Sequence, residues 1–357
     1  MDLPTLWFII IAFFWTGYFV LEGFDFGVGT LLHTIAPDTK ARTTMLRTIA
    51  PVWDGNEVWL IVAAGATFAA FPAWYATLFS AFYLPMLLIL VALIIRALGL
   101  EYRNKHTDPT WRRRWDLAIT IGSIAPAATW GLVIANMTNG IPINADGVYT
   151  GTTLDLFGPY ALLGAATTTI LFSAHGAVFT ALKTTSTLRT RAISAADILA
   201  PLAFPVAAVF LAWTAIRADD TVVFGLALTA IAVLGAAVAA NKKRREGWAF
   251  AATSVAIAAT VAVQFTAAFP AVMPSSLAPE WSLTVASAAS SPYTLTVMTV
   301  VALIVTPMVL AYQAWTYWVF RQRLTQEPVG VADGAQYPVG EPDYSNSASR
   351  ASTAASS

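Results

Sequence analysis

Residues 19–60 read FVLEGFDFGVGTLLHTIAPDTKARTTMLRTIAPVWDGNEVWL. An apolar segment carrying Glu22 and Asp25 is followed by a short basic loop and by a second apolar segment that opens on Asp54 and Glu57. The members of each pair are three residues apart, so on a helix they share a face. A carboxylate at hydrocarbon depth is costly, and it persists where it is paired, wetted or handling protons. The stretch therefore predicts a membrane protein with an acidic, proton-handling spot near one face.

Composition supports this. Of 357 residues, 57% are hydrophobic and 11% charged, far below the ~25% charged residues of an average soluble domain, and mean hydropathy is +0.64. With no cysteine, disulfides, thiolate-bound zinc, iron–sulfur ligation and cysteine nucleophiles are excluded. Basic residues occur only in small clusters between apolar spans, which gives nucleic acid no footprint. The first apolar run begins at Leu3 without a preceding Lys or Arg and carries the acidic pair itself, so it reads as a retained helix rather than a signal peptide.

Apolar windows predict an all-α polytopic fold of nine transmembrane helices, at 4–32, 51–71, 74–98, 116–137, 157–183, 195–216, 221–240, 248–270 and 293–320. The grouping expected is two four-helix bundles plus a ninth helix, a membrane domain over 1–320. From about Leu324 the chain is rich in Ser, Ala, Gly and Pro, which predicts a disordered cytoplasmic tail over 324–357. With nine spans, nineteen of the twenty Lys and Arg fall on one side, in clusters around 40–47, 96–114, 183–191, 242–245 and 321–350, leaving Arg217 alone opposite. The positive-inside rule then puts the N-terminus outside and the C-terminus in the cytoplasm. Polar loops near 138–156 and 271–292 face out, and Trp111, Trp115, Trp315, Tyr317 and Trp318 lie where an interfacial aromatic belt belongs.

In the first helix Gly23 and Gly27 form a small-xxx-small pair beside the acids, which lets another helix approach closely. Glu22 and Asp25 then face a protein interior; the plainer reading is an interfacial pair neutralised by Lys40 or Arg47. Pro51 suits the first turn of the second helix, and Asp54 follows where the helix dipole favours a carboxylate. Asp54 and Glu57 are either a capping preference or a relay, since two carboxylates on one face repel and can bring one into a working proton range. Of the histidines, His33 and His175 could bridge a b-type haem, or be hydrogen-bonded interior residues. Arg96 and Glu101 read as an anchor at the end of the third helix, with the arginine snorkelling. Pro85, Pro126, Pro201, Pro205 and Pro307 read as kinks.

Together EGFDFGVG (22–29), APVWDGNEVWL (50–60), RALGLEYR (96–103), WRRRWD (111–116), FPAVMPSS (269–276) and LTVASAASSPYTLTVMT (283–299) resemble subunit II of cytochrome bd-type quinol oxidases, over about residues 1–320. Glu22, Val52 and Glu57 stand where the family pattern has Asp, His and Gln. The resemblance implies a bacterial plasma-membrane heterodimer, in which subunit I binds two b-type haems and one d-type haem. Quinol, menaquinol or ubiquinol, is oxidised outside and dioxygen becomes water with cytoplasmic protons. It also allows small single-helix subunits, contacts with membrane lipid and a structural quinone. By the same resemblance Asp54 is the proton-entry residue, Asp25, Glu22 and Glu57 support the path, and Trp59 lines the dioxygen approach. Two rival classes remain at this point: a proton-coupled secondary transporter, whose sites usually lie at the bilayer midplane on broken helices, and a scaffold for subunit I whose acids form salt bridges.

Overall fold

Asp2 opens the first helix, its carboxylate accepting the N–H of Thr5 at 3.2 Å, with Pro4 in the first turn where its missing N–H costs nothing. The computed structural model describes residues 2–325. Its helices are α1 (Leu3–Thr30), α2 (Leu32–Ile35), α3 (Thr39–Arg47), α4 (Trp53–Ala70), α5 (Pro72–Ala81), α6 (Tyr83–Tyr102), α7 (Pro109–Asn139), α8 (Pro159–Lys183), α9 (Ser186–Ala218), α10 (Thr221–Lys242), α11 (Glu246–Ala268), α12 (Val285–Ala288) and α13 (Pro292–Val319).

Among the described residues eight of these are long and apolar enough to cross a membrane: α1, α6, α7, α8, α9, α10, α11 and α13. The ninth expected span is α4, whose first two turns are made polar by Asp54, Asn56 and Glu57. Its eighteen residues still reach ~27 Å at 1.5 Å per residue. Near its start Asn56 meets Gln313 and Tyr317 late in α13; at its end the carbonyls of Ala69 and Ala70 accept from Ser290, just before α13. It thus meets the last span near both of that span's ends.

Three boundaries differ from the apolar windows, each for a local reason. The helix expected at 74–98 breaks at Phe82 into α5 and α6. Pro85 therefore sits in the first turn of α6 rather than at a kink, whereas Pro126, Pro201, Pro205 and Pro307 do lie inside helices. The fourth span begins at Pro109, before its apolar run, because Asp108 caps it by accepting the N–H groups of Thr110 and Trp111, each at 3.1 Å. The sixth begins at Ser186, so Arg189 and Arg191 lie on helix rather than in a loop.

Helix α1 is the axis of packing. It lies against α4 and α7 of the first group of spans and against α8 and α11 of the second, drawing the two expected bundles together, while α13 sits at the edge against α1 and α4. The crossing of α1 with α8 is backbone to backbone. A Cβ on Gly27 would lie 2.0 Å from the carbonyl oxygen of Phe172, and one on Gly176 would lie 2.4 Å from the carbonyl carbon of Gly27. Gly23 and Gly27 are thus the small-residue stripe that the sequence predicts.

At the end opposite the Lys/Arg clusters the two polar loops interlock. The N–H of Ile141 donates to Pro274 at 3.1 Å and that of Ser276 to Ile141 at 2.9 Å, beside the short antiparallel pair β1 (Ala271–Met273) and β2 (Leu283–Thr284). At the basic end Asp116 accepts from Arg42 at 3.2 Å and pairs with the buried Arg103, which also reaches Thr43 at 2.9 Å. This ties the α2–α3 segment to α6 and α7. The last span is fastened at both ends. Trp7 donates to the Leu295 carbonyl at 3.1 Å and to Thr299 at 3.0 Å; at the other end Lys183 donates to the carbonyls of Phe320 and Gln322, and Leu324 bridges to Thr184. The expected tail lies, beyond Thr325, outside the described residues.

Candidate functional site

Glu22 and Asp25, three residues apart on α1, are both fully buried at 0% exposure, in the stretch from Glu22 to Gly29 where every residue of the helix is buried. Glu22 is ion-paired with Arg96 of α6, itself 0% exposed, and the guanidinium carbon sits 5.1 Å above the Phe26 ring. The expectation of a snorkelling Arg96 is therefore corrected. The side chain turns inward because a buried carboxylate on α1 faces it, and the attraction of the two charges offsets part of their desolvation. Lys40 and Arg47, the alternative partners for the acids, do not pair with them.

Asp25 meets α4. The Asn56 side chain, also fully buried, donates from Nδ2 to Asp25 Oδ2 at 2.7 Å. Its Oδ1 accepts from Gln313 Nε2 and from Tyr317 Oη of α13, each at 2.9 Å. The amide thus turns its nitrogen to Asp25 and its oxygen to the two donors of α13. Among the described residues, one oxygen of each acid, Glu22 Oε2 and Asp25 Oδ1, has no hydrogen-bond partner, nor do Nε and Nη2 of Arg96. Buried polar atoms in folded proteins are satisfied by protein or by ordered water.

Along α4 the acids grade outward. Glu57 is half-buried and within electrostatic reach of Arg96 and Glu22, while Asp54, one turn earlier, is exposed and makes no hydrogen bond or ion pair among the described residues. Trp59, two residues beyond Glu57, is buried against Gly17, where a Cβ would lie 2.3 Å from its ring, and meets Phe13 and Phe14 edge-on. The next residues, Leu60 and Ile61, line an apolar cleft of about 660 Å³ between α1, α4, α5, α6 and α7, whose walls include Trp15, Phe68, Tyr83 and Trp130.

The histidines lie apart from this cluster. His175 is fully buried, with Nδ1 2.6 Å from Thr253 Oγ1 and Nε2 3.3 Å from the Val20 carbonyl, its ring stacked on Phe250 at 4.6 Å. His33 is exposed on α2, with Nδ1 3.1 Å from Thr120 Oγ1. The sequence reading gives Arg96 and Tyr317 other roles, an anchor at a helix end and a place in the aromatic belt, and passes over Gln313; the polar spacing of Gln313 and Tyr317, one turn apart in an apolar helix, is the available signal.

The family described as cytochrome bd terminal oxidase subunit II matches residues 3–320. The chain belongs to that family. Its subunit II relatives include cytochrome bd ubiquinol oxidase subunit 2 of Bacillus subtilis (strain 168), 38% identical over 334 residues, covering 92% of this chain and 99% of the relative. Another is cytochrome bd-I ubiquinol oxidase subunit 2 of Escherichia coli (strain K12), 33% identical over 365 residues, covering 92% and 96%. Among solved structures, bd oxidase from Geobacillus thermodenitrificans aligns with a TM-score of 0.63 at 19% identity, covering 90% of this chain and 99% of that one, a likeness of fold. The chain is accordingly a multi-pass membrane protein and subunit II of a terminal oxidase, with a subunit I as its partner.

Proposed function

We propose that this subunit II stabilises a haem-bearing subunit I and carries protons from the cytoplasmic face towards dioxygen bound there. The observation that carries the proposal is the graded burial of four carboxylates: Asp54 exposed, Glu57 half-buried, Glu22 and Asp25 fully buried. Two carboxylates face one guanidinium in the buried cluster, which leaves it one positive charge short of neutrality. A proton can supply that charge and move on, with Asp54 as entry residue. The basic end, by the positive-inside rule, is the cytoplasmic one, which gives the path the direction that oxygen reduction needs.

In this reading the electrons come from a quinol, menaquinol or ubiquinol. The haems, two of b type and one of d type, supply electron transfer and the chemistry of dioxygen. Neither His175 nor His33 fits as their ligand: both ring nitrogens of His175 are engaged, and His33 lies on the surface of α2 against Thr120. The apolar cleft beside Trp59 suits dioxygen, which partitions into apolar space, as an approach through subunit II. The exposed apolar residues of α4, α6 and α13, among them Ile61, Leu90, Leu303 and Met308, supply surface for subunit I and for lipid.

The test is Asp54→Asn in the assembled oxidase. Oxygen consumption with quinol falls roughly tenfold or more, in keeping with removal of a proton-transfer group, while the reduced-minus-oxidised haem spectrum is retained. Unchanged turnover would reduce Asp54 to a helix-start residue, and loss of haem together with activity would make the cluster a scaffold for subunit I.

A further inference from the structure

A second cavity, of about 390 Å³, lies at the basic end between the α3–α4 turn, the end of α8 and the residues that follow α13. Its lining combines two cations, Arg47 and Lys183, with the apolar groups of Ala50, Pro51, Phe320 and Leu324, and contains no carboxylate among the described residues. Lys183 spends two donors on the carbonyls of Phe320 and Gln322. Arg47, in the last turn of α3, is exposed and makes no hydrogen bond or ion pair among the described residues, so all five of its N–H donors are unspent. Trp315 and Trp318, each 59% exposed, stand in the last turns of the adjoining α13, the headgroup depth at which membrane tryptophans collect.

We propose that this cavity seats the phosphate of an anionic phospholipid from the leaflet at the basic end. Basic pockets between spans on this side of a membrane take such headgroups. The apolar wall suits the glycerol and first methylenes of a lipid, and gives a free phosphate ion nothing. Because the lining offers no acid to pair with an ammonium, it favours an anionic headgroup over a zwitterionic one. The proposal does not depend on the proton path.

The two-subunit complex, delipidated in detergent, is titrated with phosphatidylglycerol or phosphatidylcholine, and bound lipids are counted by native mass spectrometry. One phosphatidylglycerol is held in preference to phosphatidylcholine. Arg47→Gln weakens it about 5-fold and Arg47→Glu about 30-fold, the effects of removing and of reversing one juxtamembrane charge. Arg321→Gln, at an exposed cation outside the cavity that stacks on Trp318 at 4.4 Å, leaves it unchanged. Should Arg47→Glu fail to assemble, Arg47→Gln decides, since it removes no hydrogen bond or ion pair among the described residues. Equal retention of phosphatidylcholine, or equal losses for Arg321→Gln and Arg47→Gln, would overturn the proposal. So would displacement of the lipid by an equal concentration of inorganic phosphate. Phosphatidylglycerol binding that emerges only when the chain is cut after Thr325 would assign the cavity to the acidic segment beyond, and would also overturn it.

Discussion

Asn56 holds Asp25 at 2.7 Å with its amide nitrogen while its amide oxygen accepts from α13, so one side chain joins the first span, the second and the last. The amide cannot be replaced by a group that only donates or only accepts without leaving one side unpaired.

Asn56→Leu should therefore be costlier than its size suggests. It strands a buried carboxylate oxygen on one side and two donors on the other, at about 1–3 kcal/mol for each group that stays unsatisfied. The thermal midpoint of the purified complex is expected to fall; a midpoint equal to that of wild type would show that water replaces the amide at no cost.

The pair of Glu22 and Arg96 should behave as a unit. Breaking a buried pair from one side leaves an uncompensated charge, at about 3–5 kcal/mol. Arg96→Met alone is expected to reduce the yield of folded complex sharply, and Glu22→Gln in the same chain to restore much of it. Additive losses in the double-mutant cycle would mean that the two charges are not coupled.

Gly27→Ala should act through geometry alone. Its new methyl group would meet the Phe172 carbonyl at 2.0 Å, so α1 and α8 must separate, at a cost of about 1–3 kcal/mol or more. Gly65→Ala, at a position with open space around it, is the control expected to be silent. Equal thermal midpoints for the two variants would refute the close crossing.

His33 lies outside the spans, and partial burial, with Arg42 and Arg113 adding to it, holds its imidazole below the ordinary value of 6.5. The unfolded chain then takes up the proton first as pH falls. Stability is fully present above pH 6.5 and is lost between 6.5 and the lowered folded value. His33→Gln should remove that loss, so its thermal midpoint should fall less than that of wild type on acidification. Parallel curves would contradict the shift.

How far the sequence discloses this molecule depends on the range of the interaction. The spans were legible because apolar length is local, and so was the Gly23–Gly27 stripe. The carboxylates were legible because a charge in an apolar run stands out. Arg96 was misread because nothing near it in sequence reveals that Glu22, 74 residues earlier, lies opposite; its position near a helix end made snorkelling the natural local reading. The break at Phe82 was hidden for a related reason. The apolar run continues across it, and only the placement of Pro85 in the turn that follows betrays a new helix start.

The last span, secured at Trp7 on one side and at Lys183 and Thr184 on the other, buries only Leu295 along its own length. During synthesis it also leaves the ribosome after all its anchors. Translation thus supplies the two fastening points first and the strap afterwards, and the remaining spans can condense before the final one is buckled down.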